Sequence, residues 1–450
     1  MELAQPPRSQ WKSHLGAVLA AAGSAVGLGN IWKFPYLVGA NGGATFVLLY
    51  LVFVLLIGIP LIMTEFVLGR KTARNPVGAF RQVAPGSAWV VPGISGVVAG
   101  FLILSFYSVV AGWALYYTVI SLLGGLSGLN PTGATNLFTN FTGGAFGPIF
   151  WHLLFMAWTV YIVAAGVQSG IEKWSKFLMP GLFILVILLV IRSLTLPGSA
   201  PGASFYLKPD FSELTGKSVL AALGQMFFSL SLGMGCMITY GSYLSRQESL
   251  VKTASQVALI DTLVALLAGL VIFPAAFAFG IEPGAGPGLV FITLPSIFAQ
   301  MPVGWLFAFL FFLLLSIAAV TSSISLLETV VAYFVDEKNW ARQKAAVIWG
   351  SLAFLAGIPS ALSQGAVDLS LFGLSFLDAV DFLTSNILLP LGGLLTAVFV
   401  GWRMRQEDVL AEALQGGGMT GGLAKIWYFL VRTIAPIAIS LIFANAIGWL

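Results

Sequence analysis

Eleven apolar stretches, each long enough to cross a lipid bilayer, constrain this chain more than any other feature of its sequence. A membrane helix needs about 20 apolar residues, and the stretches run approximately over 13–38, 41–69, 88–124, 149–167, 172–195, 218–245, 253–280, 302–335, 341–358, 374–402 and 425–448. A β-barrel would instead show short segments that alternate in polarity. Charged residues make up only 8% of the chain, against about 25% in soluble domains. The sequence predicts an all-α integral membrane protein with eleven transmembrane helices.

The Lys and Arg residues predict how the spans are oriented, because these residues gather in cytoplasmic loops. With the N-terminus inside, the outer side receives only Arg192, Lys208 and Lys217 of the 21 Lys and Arg residues, and two more fall within spans. We therefore expect a multi-pass protein of the cell membrane with a cytoplasmic N-terminus, a retained first span and an extracellular C-terminus. The formal charge of +4 then reflects topology, so we expect no nucleic-acid partner, and no obligatory protein partner is evident.

Two glycine-rich interruptions lie at corresponding places in the two halves of the chain. The sequence VGLG at 26–29 interrupts the first stretch, and LGMG at 232–235 interrupts the sixth. Consecutive groups of five spans insert in opposite orientations, so we predict a 5+5 inverted repeat in a single domain over 1–450, with repeats at 13–195 and 218–402 and an extra helix at 425–448. Glycines also serve close helix packing, but paired breaks of this kind indicate a transporter binding site near the membrane midplane.

Oxygen-bearing side chains inside the apolar stretches are expected to complete such a site. Unpaired backbone groups are costly in lipid unless they line a cavity and find another partner. Freed carbonyls attract a cation, whereas the N-terminal end of a half-helix attracts a carboxylate. The candidate donors are Asn30, Ser229, Ser231, Asp261, Thr321, Ser322 and Ser323. Hydroxyl groups can instead donate hydrogen bonds to carbonyls of their own helix. An ionisable side chain such as Asp261 in the middle of a membrane span is costly, so we expect it to have a function.

Several stretches resemble the neurotransmitter:sodium symporter family, which has the fold of the bacterial leucine transporter. They are GSAVGLGNIWKFPY, NGGATFVLLY, GIPLIMTEFVLGR, GIEKWSKFLMP, QMFFSLSLGMG, LFFLLLSIAAVTSSISLLE and FLDAVDF, and they lie along nine tenths of the chain. The resemblance is nearest to bacterial members that take up several hydrophobic amino acids. It implies broken helices 1 and 6 and a sodium-coupled symporter that imports hydrophobic or aromatic L-amino acids by alternating access, with two sodium ions per substrate.

The same resemblance implies which residues bind ions and substrate. The first sodium site would comprise the Ala25 carbonyl with Asn30, Ser229 and Asp261, together with the substrate carboxylate. The second would comprise the carbonyls of Gly23, Val26 and Ala318 with the hydroxyls of Thr321 and Ser322. The substrate site would comprise Ser24, Ala25, Gly27, Gly29, Ile103, Tyr107, Phe228, Ser229, Ser231, Leu232, Gly233, Met234, Ser323 and Leu326. Tyr107 would bond the substrate carboxylate, and Phe228 would close over the substrate.

Three positions bear on the substrate and the ions. Monoamine members of the family have an aspartate where this chain has Gly27, so glycine indicates an α-amino acid that brings its own carboxylate. Met234 can re-pack around different shapes, which favours several hydrophobic amino acids over a single small one, although that alternative stays open. Several bacterial members have a glutamate at the position of Ala265. We expect Asp261 to supply the negative charge near the first sodium ion in place of that glutamate or of a chloride ion. Transport would then be chloride-independent, and Asp261 would take up a proton when sodium leaves.

The resemblance also implies two gates. Lys33 and Asp381 correspond to the outer gate, although the family usually has arginine in place of the lysine, and a lysine lacks the two-pronged geometry of a guanidinium. The inner gate corresponds to Arg8, Trp11, Tyr243 and Asp336.

Two other function classes compete with the transporter. The sequence GISG at 93–96 has the form of the intramembrane rhomboid serine-protease motif, with Ser95 as the nucleophile and His152, in a later stretch, as the base that such a serine needs. Close helix packing explains a glycine-rich segment equally well. A channel would have the same apolar stretches but would pass currents far beyond stoichiometric coupling.

Overall fold

The computed structural model of the chain describes residues 9–280, 288–446 and 449. Within these residues, nine helices are long and apolar enough to cross a membrane: Ala44–Thr72, Val90–Leu122, Phe146–Ala164, Val167–Leu194, Leu250–Ala278, Gly304–Lys338, Arg342–Leu362, Phe376–Arg403 and Gly421–Asn445. A further crossing is a bent pair, His14–Ala25 and Gly29–Ala40, with 51° between the two parts. The remaining predicted stretch forms the short helices Gly216–Ser229 and Cys236–Gly241. We number these spans 1 to 11 in chain order, so that spans 1 and 6 are the interrupted ones, as predicted.

Shorter elements connect the spans. They are the helices Pro76–Val83, Pro131–Thr142, Ala200–Leu207, Leu289–Gln300 and Gln406–Leu414 and a single 3₁₀ turn at Phe211–Glu213. A small antiparallel hairpin pairs Ser370–Leu371 with Leu374–Ser375. It is the only β-structure in the described part of the chain, and the all-α class predicted from the sequence is confirmed.

Prolines account for most of the irregular turns inside the helices. Five wide π-helical turns end two residues before a proline: Gly29–Lys33 before Pro35, Val54–Gly58 before Pro60, Leu289–Thr293 before Pro295, Leu383–Leu388 before Pro390 and Leu430–Ile434 before Pro436. Proline has no N–H group, and its ring clashes with the carbonyl four residues earlier. A wider turn moves that carbonyl aside, so the helix continues instead of ending.

Spans 3, 7 and 8 form the centre of the bundle, and spans 4, 5, 9 and 11 surround it. In span 8, 78% of the most apolar window is buried inside the protein, whereas in span 5 the share is only 33%. The outer helices therefore turn most of their apolar surface toward lipid, and the central ones turn it toward the interrupted spans.

A buried ion pair fastens the helix Gln406–Leu414 to the end of span 2. The Arg70 Nε donates to Glu412 Oε1 at 2.6 Å, and its two Nη atoms donate to the backbone carbonyls of Glu248 and Glu412 at 2.6 and 2.5 Å. The two side chains are only 1% and 8% exposed. Every guanidinium nitrogen has a partner, so the buried charge is compensated only while the carboxylate is present.

Replacing that carboxylate should destabilise the protein measurably. In Glu412→Ala the Arg70 charge stays buried without its partner, so we expect the free energy of unfolding to fall by about 3 kcal/mol. The matched control is Glu407→Ala on the same helix, whose carboxylate lies 3.6 Å from Arg405 with both side chains at least 79% exposed, and it should cost less than about 1 kcal/mol. Thermal unfolding in detergent measures both, and equal losses would contradict this role of the pair.

Candidate functional site

The two interrupted helices meet in the middle of the bundle. Span 1 leaves helical geometry at Val26, which is extended with φ −67° and ψ 110°. In the break of span 6, Ser231, Gly233 and Gly235 have φ values of 53°, 81° and 75°, a conformation that glycine adopts without strain. The Ser231 Oγ donates to the carbonyl of Ser24 at 2.9 Å, which joins one break to the other.

A first cluster of oxygen atoms surrounds the carboxylate of Asp261 in span 7. The Asn30 Nδ2 donates to Asp261 Oδ1 at 2.7 Å, and the Ser229 Oγ donates to Asp261 Oδ2 at 2.8 Å. The Asn30 Oδ1 accepts from the backbone N–H of Gly27 at 3.0 Å. The structure thus brings three of the predicted residues together, and the fourth, Ala25, lines the cavity beside them.

The charge of this cluster is not balanced by a basic side chain. Asp261 is fully buried, and within the described residues no ion pair to it forms at 4.0 Å or less. Its remaining donor is the Tyr50 hydroxyl of span 2, at 3.2 Å from Asp261 Oδ2. Tyr50 was not predicted for this cluster. The only sequence signal is its phenolic hydroxyl at the end of the largely apolar stretch NGGATFVLLY. A buried acid held by neutral donors alone attracts a cation.

A second cluster consists of neutral oxygens between spans 1 and 8. The Ser322 Oγ lies 2.9 Å from the Val26 carbonyl and 3.4 Å from that of Gly23. The Thr321 Oγ1 lies 3.3 Å from the Val26 carbonyl and 2.9 Å from that of Ala318. All five residues of the predicted second site therefore lie together. Thr321 also bonds back to its own helix, as hydroxyls in membrane helices do, whereas the two Ser322 contacts cross to span 1.

A small cavity of about 30 Å³ lies beside both clusters, room for about two water molecules. Its lining comprises Ser24, Ala25, Gly27, Leu28, Gly29, Ile103, Tyr107, Phe228, Ser231, Met234, Ser322 and Leu326. Ten of the fourteen predicted substrate residues are among these. Leu28 and Ser322 were not predicted to line the substrate cavity. Leu28 is an apolar residue in an apolar stretch and gives no sequence signal, and the hydroxyl of Ser322 was already assigned to the second sodium site.

Four predicted substrate residues do not line the cavity. Ser229 belongs to the first cluster, Leu232 is fully buried elsewhere, and Gly233 lies against the backbone of Leu389 and Gly393 in span 10. The Ser323 Oγ points away toward span 4, where it lies 2.7 Å from the Thr159 Oγ1. The resemblance places Ser323 in the right helix, but the face it occupies depends on how spans 4 and 8 pack.

The cavity is polar at one end and apolar at the other. At the polar end, the Tyr107 hydroxyl accepts from the backbone N–H of Leu28 at 3.1 Å. A Cβ at Gly27 would lie 2.7 Å from that hydroxyl and would also overlap Ser322, so only glycine leaves this end open. At the other end, Ile103 and Leu326 supply aliphatic surface.

A larger space of about 270 Å³, here called the vestibule, lies on the other side of Phe228 and Tyr107, which line both spaces. Lys33, Asp378 and Asp381 supply its charges. The Lys33 Nζ lies 4.3 Å from the centre of the Phe228 ring, a cation–π contact, and Asp381 accepts a hydrogen bond from Ser385 at 2.7 Å. Although Lys33 and Asp381 line the same space, the structure does not pair them.

The opposite end of the bundle is packed tightly. The Trp11 Nε1 donates to the Tyr240 carbonyl at 3.2 Å, and the Trp11 ring meets the Tyr243 ring edge-on at 5.6 Å. The Tyr243 hydroxyl donates to Glu328 at 2.5 Å, and Glu328 is paired with Arg342 at 2.6 Å. Neither Glu328, which is fully buried, nor Arg342, whose side chain is 22% exposed, was predicted. The structure therefore closes the cavity on this side.

Of the other two predicted inner-gate residues, the structure describes only Asp336. Asp336 accepts hydrogen bonds from the backbone and side-chain nitrogens of Asn75 at 3.0 and 3.1 Å. Arg8 lies outside the described residues.

The structure does not bring Ser95 and His152 together. The His152 Nε2 lies 2.9 Å from the Ser108 Oγ, and Ser108 is 13 residues after Ser95 in the same helix, roughly 20 Å along its axis. His152 is fully buried and packs on Phe354 at 4.8 Å between ring centres. The imidazole fastens spans 3, 4 and 9 to one another and is not placed to activate Ser95.

A family model and three known proteins match this chain along nearly its whole length. The model of the sodium:neurotransmitter symporter family matches residues 8–132 and 138–448. The crystal structure of MhsT in complex with L-phenylalanine is similar with a TM-score of 0.91 at 48% identity, covering 98% of this chain and 100% of that one. The sodium-dependent transporter YhdH of Bacillus subtilis is 46% identical over 440 residues, 98% of each chain. A sodium-dependent transporter of Haemophilus influenzae is 40% identical over 451 residues, 97% of this chain and 98% of its own.

Sodium should stabilise the folded protein through the first cluster. Replacing KCl by NaCl is expected to raise the unfolding midpoint, because an ion that binds only the folded state stabilises it. Asp261→Asn keeps the size of the side chain but removes the charge, so the sodium-dependent shift should fall to roughly half or less. The control Asp378→Asn alters an exposed vestibule carboxylate that bonds Ser375 and should leave the shift unchanged. A full shift in Asp261→Asn would place the ion elsewhere.

Proposed function

The chain belongs to the sodium:neurotransmitter symporter family, and from that membership we propose that it imports hydrophobic and aromatic L-amino acids together with sodium. It is a multi-pass, sodium-dependent membrane transporter and not an enzyme. The observation that carries the proposal is the cavity beside two oxygen clusters, polar at one end and apolar at the other. The proposed orientation has the N-terminus in the cytoplasm and the vestibule facing outward.

The polar end of the cavity suits the carboxylate of an α-amino acid. The backbone N–H of Leu28 and the hydroxyl of Tyr107 face each other there at 3.1 Å, and both can donate to a carboxylate. The half-helix Gly29–Ala40 starts at the same place, and the N-terminal end of a helix favours a negative group. Gly27 adds no side chain that would compete for this space.

The apolar end suits a hydrophobic side chain. Ile103, Met234 and Leu326 line the cavity together with Phe228, and a methionine adapts its shape at low cost. MhsT, which is 48% identical to this chain, has been crystallised with L-phenylalanine, and this supports an aromatic substrate. The small volume of about 30 Å³ favours a second candidate function, import of a single small amino acid. Under the main proposal, Phe228 and Met234 move apart when a larger substrate binds.

Each oxygen cluster is proposed to bind one sodium ion, because sodium is a hard cation that oxygen atoms suit. In the first, the substrate carboxylate would add an oxygen to those of Ala25, Asn30, Ser229 and Asp261. In the second, the ion would replace the hydrogen bonds that now join Ser322 and Thr321 to the Val26 carbonyl. Two ions driven by 100 mV supply roughly 4.6 kcal/mol, which supports accumulation on the order of 10³-fold.

Alternating access would use both ends of the bundle. The vestibule leads to Phe228 from one side, and the contacts of Trp11 with Tyr240 and Tyr243 close the other side. Lys33 and Asp381 are proposed to approach each other when the vestibule closes. Arg8, Trp11, Tyr243 and Asp336 are proposed to separate when the inner side opens.

Uptake by proteoliposomes tests the proposal directly. With external NaCl against internal KCl, labelled tryptophan and leucine should both accumulate, and with potassium on both sides neither should. Accumulation of alanine or glycine alone would favour the single small substrate. Uptake that ignores the sodium gradient would mean that the two clusters do not couple ions to transport.

Chloride should not be needed for transport. Asp261 already supplies a negative charge beside the first ion, so replacing chloride by gluconate at constant sodium should leave the initial rate of tryptophan uptake unchanged. Membrane potential is held by internal potassium and valinomycin in both buffers, so that the anion itself cannot alter the driving force. A rate that collapses in gluconate would show that a chloride ion is required beside Asp261.

A further inference from the structure

The unwound segment of span 6 rests directly on two glycines of span 10. An added Cβ at Gly392 would overlap the carbonyl oxygen of Gly233 and lie 3.1 Å from its carbonyl carbon. A Cβ at Gly233 would in turn overlap the Leu389 carbonyl and lie 2.9 Å from the nitrogen of Gly393. The two backbones therefore touch without any side chain between them.

The same segment is held from another direction by span 2. The buried carboxylate of Glu65 accepts a hydrogen bond from the N–H of Gly233 at 2.8 Å. Met234, which follows Gly233, lines the cavity, and so does Ser231, which precedes Gly233 by two residues. No residue of span 10 lines the cavity, so this segment of span 6 stands between span 10 and the substrate space.

We propose that Gly392 is a positioning residue that sets the size of the substrate pocket, an inference that rests on the proposed amino acid transport. Its missing side chain lets the peptide between Gly233 and Met234 sit back against span 10. Any larger residue moves that peptide by roughly 1 Å, since non-bonded carbon and oxygen atoms cannot stay so close. The peptide then carries the Met234 side chain into the cavity, where a bulky substrate loses more room than a small one.

The alternative is that Gly392 only permits close helix packing, as glycines do in many membrane helices. That role predicts a loss of stability that affects every substrate equally. A role in pocket size predicts a change in selectivity, because the Asp261 carboxylate is held by Asn30, Ser229 and Tyr50 and not by the peptide that moves.

The test compares tryptophan and leucine uptake in Gly392→Ala with the unaltered protein. We expect the ratio of tryptophan to leucine uptake to fall about tenfold, while the sodium-dependent rise in unfolding midpoint persists. The matched control is Gly181→Ala in span 5, where an added Cβ meets nothing within 4 Å, and its ratio should not change. Equal falls in both substrates, or an unchanged ratio, would overturn the inference.

A second variant keeps the test decisive if Gly392→Ala does not fold. In Gly392→Ala/Met234→Ala the truncated residue 234 leaves space for the displaced peptide, so the double variant should fold, and its uptake is compared with that of Met234→Ala alone. The double variant should transport tryptophan less well, relative to leucine, than Met234→Ala alone. Identical ratios in those two would overturn the inference. Unaltered protein that accumulates neither amino acid with sodium would instead refute the proposed function.

Discussion

Helices that stop in the middle of a bilayer leave peptide groups that lipid cannot satisfy, and the centre of this protein is arranged around that constraint. The side chains that meet these groups come from other spans: Tyr107 faces the N–H of Leu28, Ser322 faces the carbonyl of Val26, and Glu65 accepts from Gly233. Each would be costly in its own helix if it had no partner. The breaks and the buried polar residues therefore stabilise one another, and the site exists because both are present.

The buried carboxylates differ in their partners, and Glu65 accepts from the backbone of the span 6 break. Arg70 with Glu412, which lie far apart in the sequence, and Arg342 with Glu328, on the consecutive spans 9 and 8, are complete ion pairs. Such pairs are poor places to bind an ion, because their charges already cancel. Asp261 has only neutral donors. A bound cation would therefore compensate its negative charge, as the arginine side chains do in the two ion pairs. Asp261 is therefore a candidate ion ligand, whereas Glu412 and Glu328 hold parts of the bundle together.

Local sequence signals predicted most of the fold, and contacts between distant spans explain what they missed. Span lengths follow from apolar stretches, and the breaks follow from VGLG and LGMG, because both signals lie within one helix. The polar side chains of the two oxygen clusters were predicted from oxygen donors inside apolar stretches, the family resemblance divided them between two sites, and the structure brings the members of each cluster together. Tyr50 and Glu65 were missed, since nothing in span 2 alone shows which break it will face. The unpaired Lys33 and Asp381 reflect an open vestibule, a state that no sequence pattern encodes.

The break in span 1 also gives its N-terminal half the freedom that the proposed alternating access requires. The half-helix His14–Ala25 is joined to the second half, Gly29–Ala40, by residues 26–28, of which Val26 is extended. The N-terminal end of this half-helix is held by the Glu172 carboxylate of span 5, which accepts from the N–H of Lys12 at 2.7 Å and from the Ser13 hydroxyl at 3.1 Å. Bonds of this kind contribute only about 1–3 kcal/mol each, since water replaces them when they open. A helix broken at its centre and held at its end by exchangeable contacts can tilt without unfolding the bundle, which a continuous span packed along its whole length could not do.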